Sequence, residues 1–133
     1  RFWHIESGRP LQQFWSCRGV IRGLAYSTTG AVLASAGGDG NIRLWDAEHF
    51  EERGILRGHT ADVNSVAFSP DARLLASGSD DATVRLWDIE SQRELVRLTA
   101  PTACVNAVSF SPDGTHLASG SMDGTIRLWG VSD

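Results

Sequence analysis

Apolar positions along this chain come in short runs, and no stretch keeps the 3.6-residue period of a helix over helical length. Runs rich in Ile, Val, Phe and Trp alternate with runs built from Ala, Ser and Gly. Clusters of Ser, Pro, Asp and Gly separate them, as expected for strands joined by turns. The pattern predicts strands over residues 1–6 and 11–15, with a turn at Ser7-Gly8-Arg9-Pro10 between them. It then predicts strands at Val20–Tyr26, Ala31–Ala36, Asn41–Asp46 and Gly54–Arg57, with Ala47–Glu52 as a loop. Four more fall at Asp62–Phe68, Leu74–Ser79, Thr83–Asp88 and Leu95–Leu98, and three at Cys104–Phe110, His116–Ser121 and Thr125–Trp129.

These strands repeat. Ser35–Asp46 (SAGGDGNIRLWD), Ser77–Asp88 (SGSDDATVRLWD) and Ser119–Gly130 (SGSMDGTIRLWG) follow one another at a constant spacing of 42 residues. Trp3 lies one further period upstream of Trp45. A fixed period of this size, without insertion, marks a repeat architecture. The turns have a mechanism. In Ser69-Pro70-Asp71-Ala72 and Ser111-Pro112-Asp113-Gly114 the proline presets φ and the aspartate bonds locally, and in the latter the glycine accepts positive φ. Asp39-Gly40 and Asp123-Gly124 are hairpin signals. The small-residue strands leave room for neighbouring sheets to approach face to face.

Composition removes several function classes. The net charge is −4 and the charges are well mixed, so no basic stripe offers a nucleic-acid surface. No apolar run approaches about 18 residues, which gives no membrane-spanning helix. Cys17 and Cys104 occupy non-equivalent repeat positions and lack zinc-type spacing, so no metal or cofactor is expected. Two isolated thiols fit a reducing, cytoplasmic setting.

The repeated residues resemble the WD-repeat β-propeller family. The middle repeat carries Gly58-His59, Ser-Pro-Asp, Leu-Ala-Ser-Gly-Ser and Trp87-Asp88. The resemblance implies an all-β fold, a partial propeller of four-stranded antiparallel blades. Residues 1–15 would be the outer strands of a partial blade. Residues 16–57, 58–99 and 100–133 would be three repeats, the last lacking its outer strand. It also implies a side-chain network in each blade, linking His, Ser or Thr, Asp and Trp. His59, Ser77, Asp81 and Trp87 supply all four. The first repeat offers Ser35, Asp39 and Trp45, with Cys17 at the His position. The third offers Ser119, Asp123 and Trp129, with Pro101 there. The middle blade is therefore expected to be the most rigid.

Ser77, His59 and Asp81 could also be read as a nucleophilic triad. Against that, Ser77 lies inside a strand of small residues, with no strand-to-helix elbow to expose it. His4, His49 and His116 are isolated. Glu51-Glu52 and Asp80-Asp81 read as solvated turns. Arg43, Arg85 and Arg127 are expected to run their stems along strand faces. No catalytic residue is expected.

The resemblance places protein or peptide partners on one face of the disc. The matching positions are Val20, Arg22 and Gly38, then Asp62, Asn64 and Asp80, then Cys104, Asn106 and Met122. Their chemistry varies between repeats while the framework around them stays nearly fixed. The expected function is a non-catalytic interaction scaffold. The alternatives are a small-molecule, peptide or glycan receptor at the channel mouth, or an accessory module of a larger signalling or enzyme chain. Three blades do not close a disc. The chain opens on Arg1 within what reads as a third strand, and Val131-Ser132-Asp133 follows another. These ends read as an arbitrary cut and a natural C-terminus. Further blades are expected from the same longer chain or from a homo-oligomer.

Overall fold

The computed structural model describes residues 2–12, 19–99 and 103–131, and the regular elements among them are all β-strands. A two-stranded piece, β1 (Phe2–His4) and β2 (Arg9–Gln12), comes first. A four-stranded sheet follows, made of β3 (Ile21–Tyr26), β4 (Val32–Gly37), β5 (Ile42–Asp46) and β6 (Glu51–Leu56). A second contains β7 (Val63–Phe68), β8 (Leu74–Ser79), β9 (Thr83–Asp88) and β10 (Arg93–Thr99). The third has β11 (Val105–Phe110), β12 (His116–Ser121) and β13 (Ile126–Gly130). Each is an antiparallel meander in chain order.

Two local expectations are corrected. The first turn covers residues 5–8, so Arg9 and Pro10 lie in β2 opposite His4 and Trp3. A proline is tolerated there because β2 is an edge strand whose outward N–H would have no ladder partner. Glu51 and Glu52 are not turn residues. They pair with Asp46 and Trp45 in β6, an outer strand on which both are exposed, and the Glu52 carboxylate lies 3.6 Å from Arg43.

The three larger sheets stack face to face. Strand alternation sends Leu75 and Trp87 of the second sheet into one core with Val32, Ala34, Ile42, Leu44 and Leu56 of the first. Their neighbours Ala76, Val84 and Leu86 point the other way, into a second core with Val105, Val108 and Leu117. Small residues set the spacing. A Cβ on Gly78 would stand 2.6 Å from Val105 Cγ1, so only glycine admits the third sheet this closely.

The innermost strands share one irregularity. In β3 the pairing jumps from Ile21↔Gly37 to Gly23↔Ala36. In β7 it jumps from Val63↔Ser79 to Ser65↔Gly78, and in β11 from Val105↔Ser121 to Ala107↔Gly120. Arg22, Asn64 and Asn106 are therefore the extra residues of three equivalent β-bulges. The bulge also changes side-chain parity, so Val63 and Val66 both reach the same core.

Candidate functional site

Two constellations stand out, a buried network within each sheet and a strip along one edge of the stack. The network is fullest in the second sheet. Ser77 and His59 side chains are buried there. Trp87 Nε1 donates to Ser77 Oγ at 2.9 Å, and the same hydroxyl lies 2.7 Å from His59 Nε2. His59 Nδ1 is 2.8 Å from Asp81 Oδ2. A neutral imidazole that donates from Nδ1 and accepts at Nε2 satisfies every contact, because Ser77 then gives its single proton to His59 while accepting from Trp87. Burial pushes the His59 pKa down and so favours this neutral form, although the Asp81 contact works the other way.

Asp81 is the hub. Its Oδ1 accepts from Thr83 N at 2.9 Å and from Thr83 Oγ1 at 2.6 Å, and its Oδ2 accepts from Thr60 N at 3.2 Å. Burial raises its pKa, but these donors and His59 outweigh that and hold it at about 2. Arg85 adds an ion pair to Asp81 at 3.4 Å and another to Glu94 at 3.2 Å. Its side chain is 3% exposed, so it does not snorkel. Arg43 and Arg127 approach Asp39 at 3.1 Å and Asp123 at 3.8 Å in the same i,i+4 relation. Sequence reasoning missed this arginine, yet its signal was present. Asp and Arg recur four apart in every repeat.

The other sheets hold parts of the same arrangement. Trp45 Nε1 donates to Ser35 Oγ at 2.9 Å, and Trp129 Nε1 to Ser119 Oγ at 3.0 Å. Asp39 accepts from Asn41 N at 3.1 Å, and Asp123 from Thr125 N at 3.0 Å. The positions matching His59, Cys17 and Pro101, lie outside the described residues. Chemically the network ties strands. Ser77 has both hydroxyl functions occupied and no access to solvent, which leaves it no role as a nucleophile.

The nine positions expected to contact a partner lie on one edge of the stack, where the inner strands begin and the second turn of each sheet folds over them. Three equivalent backbone bonds mark it: Gly38 N to Val20 O at 2.9 Å, Asp80 N to Asp62 O at 2.9 Å, and Met122 N to Cys104 O at 3.0 Å. Val20, Arg22, Asp80, Asn106 and Met122 are exposed, while Gly38, Asp62, Asn64 and Cys104 are half-buried. Two bulge residues reach across to the following sheet. Arg22 pairs with Asp62 at 2.6 Å. Asn64 donates to the Val105 carbonyl at 3.0 Å and to Asp80 Oδ1 at 2.6 Å. Cys104 Sγ sits 3.6 Å from the Asp80 carbonyl, and burial together with Asp80 raises its pKa, so the thiol stays protonated.

The repeat family described as WD domain, G-beta repeat matches residues 8–46, 50–88 and 92–130. A stretch of 57 residues is 37% identical to Nucleoporin SEH1 of Bos taurus and to Nucleoporin SEH1 of Homo sapiens. That stretch is 41% of this chain and 16% of either nucleoporin, so the similarity reaches only a small part of the relative.

Proposed function

This chain belongs to the WD-repeat family, and on that footing we propose that it is a segment of a non-catalytic scaffold whose strip of inner-strand and turn residues holds a protein or peptide. The observation that carries the reading is the division of labour between two neighbouring aspartates. Asp81 is consumed by the framework through Thr83, His59, Thr60 and Arg85. Asp80 projects outward beside Asn64, on the same edge as the exposed Val20, Asn106 and Met122. An apolar residue at each end with carboxylate and amide groups between them suits a short peptide segment with apolar and donor side chains. The nucleoporin similarity is compatible with protein partners. The unpaired thiol of Cys104 fits the cytoplasmic setting expected from the sequence.

The test is affinity capture by the immobilised chain, compared with Asp80→Lys and Met122→Lys variants of matched circular dichroism. Loss of the captured protein with both variants supports the scaffold. Capture indifferent to both, or labelling of Ser77 by a serine-reactive phosphonate, overturns it.

A further inference from the structure

We draw no further inference here: the strongest candidate, the groove of about 640 Å³ lined by Val32 and Leu44 of the first sheet, Leu74, Ile89 and Leu95 of the second and Val131 beyond the third, carries charges of both signs beside these apolar side chains, and nothing in the structure shows what covers it.

Discussion

Removing one hydroxyl tests the network most directly. In Ser77→Ala, the buried Trp87 indole loses its acceptor at 2.9 Å and His59 Nε2 loses its donor at 2.7 Å. Both groups lie where no water reaches, since the His59 side chain is 0% exposed and Trp87 2%. Each orphaned buried group costs about 1–3 kcal/mol, so the pair should cost about 2–6 kcal/mol. Ser119→Ala is the internal control. Among the described residues it orphans only Trp129 Nε1, which is half-buried and can turn to water, for about 1 kcal/mol or less. Repeat stacks unfold piecewise, so the assay is native-state hydrogen exchange read sheet by sheet. In the wild type, amides of β8 and β9 should open last, and Ser77→Ala should bring them level with β12. A cycle with His59→Leu should show coupling of at least about 1 kcal/mol. Equal costs for Ser77→Ala and Ser119→Ala, or wild-type β8 opening before β4 and β12, would refute the argument.

Four further outcomes follow from the same geometry. Because the native pKa of His59 is lowered by burial, the native state binds fewer protons than the unfolded chain; stability is full above the unfolded value of 6.5 and falls as pH drops below it. Urea titrations at several pH values should show this limb, and His59→Gln should remove it. Asp81, held at about 2 against 3.8, adds a second acid limb between those values, worth at most about 2 kcal/mol after screening. Ala72 and Ala82 sit at φ 62° and 65°, where the equivalent residues of the other repeats, Gly30, Gly114, Gly40 and Gly124, are all glycine. Replacing either alanine with glycine should raise thermal stability by about 0.5–1 kcal/mol, and a fall would show that the strain estimate is wrong. Gly78→Ala should cost about 1–3 kcal/mol by denaturant melting, because the new methyl meets Val105 and Val108 in a close-packed seam.

The fold was legible because the repeat is its own control. Leu74–Ser79 and His116–Ser121 match to the residue, since small-residue strands bounded by Asp turns leave little freedom of register, and Thr83–Asp88 matches because it starts at the end of such a turn. Outer strands were the poor cases. Glu51 and Glu52 look like loop residues because β6 pairs on one side only and sets no demand on side-chain chemistry. Arg85 was misjudged for a related reason. A charged residue in a strand of apolar neighbours reads as a stem with its head in water, and only the three-dimensional proximity of Asp81 and Glu94 makes burial affordable.

The strip raises a subtler point about variation between repeats. Positions whose chemistry changes from repeat to repeat look free to answer a partner, and by that measure Arg22, Asn64 and Asn106 are equivalent. Their geometry separates them. A bulge takes each side chain out of the ladder and turns it along the stack, where the next sheet is the nearest surface. Arg22 varies because its counterpart is the carboxylate of Asp62, and Asn64 because its counterpart is a carbonyl at Val105. These two residues answer the neighbouring sheet within the molecule. Substituting them would loosen the stack before it touched any partner, so their loss cannot report on recognition. Met122 can, because it comes from a turn that folds over the edge with an exposed side chain. Asp80 can beside it, since among the described residues its side chain meets the stack only through Asn64, and its contact to Cys104 runs through its carbonyl, which substitution keeps.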